Sequence, residues 1–120
     1  MKKKFSGIYK SYWEYPKGSK PPYESITVLF HVSNNLIFGF EYASEECNRF
    51  KGIYLLQGKV VNGRIKGKWQ KFNSHEYGNF NLIIKDNGKV LENYYNCRHP
   101  RAPKQARNNC YYKMEHLIDL

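Results

Sequence analysis

At 120 residues the chain has room for one hydrophobic core and not for two, so 1–120 is read as a single domain. Hydrophobic residues at 41% and aromatics at 17% exclude a chain with no core, and 11 Tyr and 7 Phe against 2 Met favour pleated sheet over helix. Lys and Arg outnumber Asp and Glu by 20 to 10, and a formal charge of +10 points to anionic partners: a nucleotide or other anionic small molecule, nucleic acid, or an acidic protein surface.

The basic start Met1-Lys2-Lys3-Lys4 lacks the apolar run of a secretion signal, and no stretch approaches the roughly 20 apolar residues of a membrane-spanning helix. A cytoplasmic location is therefore expected, with the three cysteines as thiols. From Phe5 to Tyr15 residues alternate, with Phe5, Gly7, Tyr9, Ser11, Trp13 and Tyr15 on one face, until Pro16, Pro21 and Pro22 stop the ladder. Tyr23 to Val32 sets Ile26, Val28, Phe30 and Val32 against Ser25, Thr27, Leu29 and His31, and Ser33-Asn34-Asn35 turns the chain into Leu36 to Tyr42.

The polar segment Ser44 to Arg49 leads into Phe50 to Val61, where Asn62-Gly63, the strongest short hairpin signal, returns the chain as Arg64 to Phe72. Tyr77 to Lys85 and Lys89 to Asn96 flank a turn at Asp86-Asn87-Gly88. Cys97 to Asn109 has two prolines and no period and reads as a loop; a final strand covers Cys110 to Glu115, and His116 to Leu120 can fray into a helix. The count is eight strands.

Phe5-Ser6-Gly7-Ile8-Tyr9 recurs as Phe50-Lys51-Gly52-Ile53-Tyr54, and more loosely as Ile65-Lys66-Gly67-Lys68-Trp69. A strand glycine between bulky neighbours marks a sharp bend or a place where a ring lies across the backbone. These segments, with Tyr77-Gly78-Asn79-Phe80-Asn81-Leu82 and Asp86-Asn87-Gly88-Lys89-Val90-Leu91, resemble the lipocalin, fatty-acid-binding and avidin type of up-and-down β-barrel. The resemblance implies an all-β, single antiparallel barrel of about eight strands with a ligand cavity inside and a way in at one end.

Three groups of residues are candidates for binding. Arg98, His99, Arg101, Lys104 and Arg107 crowd the Arg/Pro loop, and guanidinium forks match phosphate or carboxylate oxygens. Tyr9, Trp13, Tyr54 and Trp69 fall on one set of strand faces, where they fill a core or line a cavity for a planar ligand. Arg64, Lys66 and Lys68 alternate outward at a spacing of about 6.6 to 7 Å, close to that of phosphates on a nucleic-acid strand, although an ordinary solvated face looks the same.

Cys97, His99, Cys110 and His116 match no usual zinc spacing, and a Cys97–Cys110 disulfide would need an oxidising compartment. No Ser or Cys nucleophile sits with a base; His99 beside two arginines is the one group that suggests phosphodiester chemistry, and Glu41 with Glu45 and Glu46 forms the only carboxylate cluster. The expectation is a non-catalytic binding module, without metal or cofactor, for an anionic, nucleotide-like or planar ligand. The alternatives are a nucleic-acid-binding protein using the basic strand face and an interaction or inhibitor module covering an acidic partner.

Overall fold

The computed structural model describes residues 5–14, 23–95 and 110–120, so the proline loop after Tyr15 and the basic loop 97–109 lie outside the described residues. Eight antiparallel strands follow in chain order: β1 (Gly7–Glu14), β2 (Tyr23–His31), β3 (Leu36–Ala43), β4 (Gly52–Val61), β5 (Arg64–Lys71), β6 (Tyr77–Lys85), β7 (Val90–Tyr95) and β8 (Cys110–Asp119). Each pairs with its neighbour in sequence and β8 returns to β1, closing an up-and-down barrel. The all-β, eight-stranded architecture read from the strand rhythm is the observed one.

The turns form as their residues require. Asn62 and Gly63 take φ of 50° and 74°, the pair of left-handed conformations that a two-residue hairpin with the right twist needs. A short 3-10 segment, Glu45–Phe50, carries the chain from β3 to β4 and inserts Cys47 beneath it as a buried thiol. The chain's end differs from its expected form: in place of a fraying helix after Glu115, β8 continues to Asp119. Tyr9 pairs with His116 and Ile8 with Ile118, so Leu117 is the extra residue of a bulge, and the ladder's free hydrogen bonds hold 116–119 extended.

One end of the barrel is closed. Phe5 folds across it, its carbonyl accepting a hydrogen bond of 3.0 Å from the Tyr9 hydroxyl, while Ser6 Oγ accepts one of 2.8 Å from the His31 amide. Burial pushes the Tyr9 hydroxyl up to about 12, with Asp119 adding to the shift. The sequence repeat places the same contact at the opposite end, where Tyr54 donates to the Phe50 carbonyl at 2.6 Å. β1 runs from the closed end and β4 runs towards it, so one short motif ties down an aromatic ring at each end.

The main core joins Phe5, Tyr9, Leu29, Ile37, Leu56, Ile65, Leu82, Leu91 and Met114. Each such burial contributes on the order of 1.5–3 kcal/mol. The seams are unequal: β1 and β8 pair over eight positions, whereas β6 and β7 pair only from Ile83 to Lys85. Across that short seam Lys85 Nζ reaches Glu92 at 2.6 Å, and the Tyr111 hydroxyl of β8 donates to the same carboxylate. These two hydrogen bonds hold the Glu92 carboxyl below its ordinary value.

Candidate functional site

Strand alternation leaves open which side chains point inward, and on β2 the register selects the polar set. Ser25, Thr27, Leu29 and His31 face the interior, while Ile26, Val28 and Phe30 face out. The reason lies in their neighbours: Thr27 pairs with Tyr9 on β1 and Glu41 on β3. Ser11 and Thr27 share a hydrogen bond of 2.6 Å, and the Ser25 hydroxyl donates to Glu41 Oε2. A polar wall thus forms on β1, β2, β3 and β8, opposite the apolar Leu56, Ile65 and Leu82 of β4, β5 and β6.

Between the two walls lies a cavity of about 530 Å³, within the roughly 300–1,000 Å³ of small-molecule sites. Trp13, Phe50, Tyr54, Trp69, Tyr94 and Tyr112 surround it with rings. Trp69 meets Tyr54 edge to face at 5.7 Å, and Trp13 meets Phe50 in the same way at 6.3 Å. Where β6 and β7 part beyond their short seam, Asn79, Asn81 and Asn93 join the lining, and Asn93 Nδ2 donates to the Asn81 carbonyl at 2.9 Å. The end opposite Phe5 is rimmed by Lys71, whose ammonium lies 5.8 Å over the Tyr54 ring and bonds the Arg49 carbonyl at 3.1 Å.

Glu41 is the polar centre of the cavity. Burial raises its carboxyl above the ordinary 4.5, against the lowering effect of Ser25 and Tyr112. The Tyr112 hydroxyl, buried and raised by burial and then by Glu41, faces Ser11, Thr27 and Glu41 without closing a well-formed hydrogen bond to any. Between 4.5 and the raised folded value the native state keeps Glu41's proton and the unfolded chain does not, so stability falls as pH climbs through that window and levels above it. Glu41→Gln is expected to remove this slope. Urea midpoints of the two proteins compared from about pH 4 to 9 check it, and profiles that stay parallel count against a buried acidic Glu41.

The residues singled out in the sequence separate into three places. Trp13, Tyr54 and Trp69 come together around the cavity, whereas Tyr9 sits in the closed end, edge-on to His116 at 5.3 Å. Arg64, Lys66 and Lys68 stand on β5, Lys66 and Lys68 on the barrel's outer surface, and Arg98, His99, Arg101, Lys104 and Arg107 lie outside the described residues. The described strand ends that bracket 96–109, in β7 and β8, lie at the end of the barrel opposite Phe5. His116 pairs with Asp119 at 2.9 Å near the closed end, about 20 Å along β8 from Cys110. Among the described residues no group of three or more His, Cys, Asp and Glu is placed to hold a metal ion.

Glu41 was legible only as one member of a carboxylate cluster, which the fold breaks up: Glu45 pairs with Lys51 at 3.2 Å on the surface. The signal for its role is its phase, since it alternates with Ile37, Gly39 and Ala43 on one face of β3. The cavity lining holds Glu41 and Glu76 and, among the described residues, no Lys or Arg, with Lys71 at the rim; the basic loop expected to bind an anion, 98–107, lies outside the described residues. No family model matches the chain, no curated protein is similar to it and no solved structure matches it.

Proposed function

We propose that this barrel is a non-catalytic binding module that encloses one small, flat, largely apolar molecule carrying a cationic or hydrogen-bond-donating group. The observation that supports it is the cavity itself: a space of about 530 Å³ ringed by aromatic side chains, with a single buried carboxyl, Glu41, on its polar wall. Rings stack on a planar body and attract a cation. A positive group about 4 Å from an ionised Glu41 gains roughly 4 kcal/mol at an effective dielectric near 20. The chain's remote cations oppose it only weakly, because salt screens them beyond about 8–10 Å.

Three naphthalenes test the reading: a cationic aminomethylnaphthalene, neutral naphthol and anionic naphthoate, followed by tryptophan quenching and thermal shift. One saturable site is expected, with stabilisation near 2.7 kcal/mol at 100 times Kd. The amine should bind at least about 10-fold tighter than naphthoate, Glu41→Gln should erase that preference, and Trp69→Ala should weaken all three. If none of them saturates, the binding-module reading fails. If naphthoate binds best, the ligand is anionic and the loop at 98–107 becomes its recognition element.

A second reading has its own observation. Lys66 lies directly opposite Lys59 on the outer surface, with Lys68 beyond it, and none of the three has an ion-pair partner among the described residues. Like charges opposed on a strand pair are destabilising unless an anion bridges them, which supports nucleic acid on this face. A single-stranded oligonucleotide added to the same titration would then bind with steep salt dependence and weaken on Lys66→Ala, leaving Trp69→Ala without effect.

A further inference from the structure

The outward side chains of β2 and β3, with Ile53 and Leu55 of β4, form an apolar sheet face that neither reading above uses. Register sets Ile26 beside Tyr42, Val28 beside Phe40 and Phe30 beside Phe38, and then Phe40 beside Leu55 and Tyr42 beside Ile53. Ile26, Phe30, Phe38, Phe40, Tyr42, Ile53 and Leu55 each leave between 39% and 53% of their surface in water. At about 200 Å² for a bulky side chain this comes to roughly 600 Å² of contiguous apolar surface, the upper limit for a typical monomer.

We infer that this face is the contact surface of a homodimer, two copies packing their β2–β3–β4 sheets face to face about a two-fold axis near Phe40. Area and charge both select a second copy. With its rim the patch approaches the ~800 Å² per partner of a standard interface. A two-fold contact places a surface against itself, so a charge close to the axis would meet its own copy, and none of these seven residues is charged. At its margins Lys10 is neutralised by Glu24 at 3.6 Å and Lys51 by Glu45 at 3.2 Å.

Beyond Gln57 the outward row of β4 continues to Lys59, opposite Lys66 of β5, so Lys59, Lys66 and Lys68, unpaired among the described residues, lie along one edge of the patch and not within it. An anionic lipid surface fits less well. It would draw on free cations all round the apolar residues and on tryptophan at the interface; here Lys10 and Lys51 are paired, Lys59, Lys66 and Lys68 stand along one edge only, and both tryptophans line the interior. The outer β-branched and aromatic residues of the two copies would interdigitate as the inner faces of a sandwich do, about 10 Å apart.

Sedimentation velocity of the full chain from about 1 to 100 µM tests the inference, since a Kd in this range corresponds to an ordinary interface. A dimer is expected, and Phe40→Glu, which introduces a charge at the centre of the face without touching the core, should weaken it at least about 100-fold. Ile53→Lys, at the edge of the patch, should weaken it as well, and Tyr77→Glu, exposed on β6 away from it, should leave it intact. Circular dichroism confirms that each variant keeps its sheet. A wild-type monomer at 100 µM, or a dimer that survives both patch variants, overturns the inference. So does a wild-type monomer that sediments with phosphatidylserine vesicles and loses this on Phe40→Glu, which gives the face to lipid.

Discussion

Gly67→Ala is expected to cost at least about 3 kcal/mol and to lower Tm by roughly 12 °C. A methyl group at Gly67 would stand 2.0 Å from the Gln57 carbonyl oxygen, 2.6 Å from the Gly58 Cα and 2.6 Å from the Phe80 ring. Two of those three atoms are backbone on the paired strand, held by the β4–β5 ladder, and cannot turn aside. The ring of Phe80 lies across the glycine pair Gly58–Gly67, and this lets an aromatic side chain fill the cylinder without pushing its wall outward. Gly63→Ala is the internal control: its φ of 74° strains an alanine but nothing stands within 4 Å, so a loss near 1 kcal/mol is expected. Adding Phe80→Ala to Gly67→Ala should recover little, because the carbonyl contact remains. Thermal melts that place Gly67→Ala within about 1 kcal/mol of wild type would show that the β4 and β5 backbones part readily at Gly58 and Gly67.

Leu91→Ala is the second large effect, expected at about 4 kcal/mol in urea unfolding. Leu91 is 0% exposed, pairs with Ile84 on one side and Met114 on the other, and lies in the strand whose seam with β6 is shortest. Truncation there leaves a void that a strand held on both sides cannot collapse into. Against a typical domain stability of about 5–15 kcal/mol, the loss should bring a large part of the population near unfolding under mild denaturant. Leu56→Ala makes the comparison: Leu56 already borders the cavity, so its truncation enlarges a space that exists and should cost about half as much. Equal losses at the two positions would mean that the cavity is packed shut.

The rhythm of the fold was open to reading because its signals are local. Asn62-Gly63 announces a hairpin by the φ values it tolerates well, and of the three bulky-Gly-bulky repeats two have a ring against the backbone, His116 at Gly7 and Phe80 at Gly67, whereas Gly52 meets only the Lys71 chain. Three of the four aromatics on the predicted face, Trp13, Tyr54 and Trp69, surround the cavity. What could not be read is sidedness. On β2 the apolar set Ile26, Val28 and Phe30 would be sent inward by hydrophobicity alone, yet Ser25 and Thr27 go in because Ser11, Glu41 and Tyr112 wait for them on strands distant in sequence. Glu41 was hidden for the same reason: a carboxylate between Phe40 and Tyr42 looks like an outward charge until three strands are aligned.

The pairing scheme has a consequence for how the chain reaches this state. Seven of its eight seams join consecutive strands, and one, β1 to β8, joins the first strand to the eighth. Hairpins can assemble progressively, but until Cys110–Asp119 arrives the growing sheet presents unpaired amides and carbonyls along β1 and β7 and an interior open to water. During synthesis that is the interval of greatest exposure to aggregation and proteolysis, and the last ten-residue strand ends it in one step.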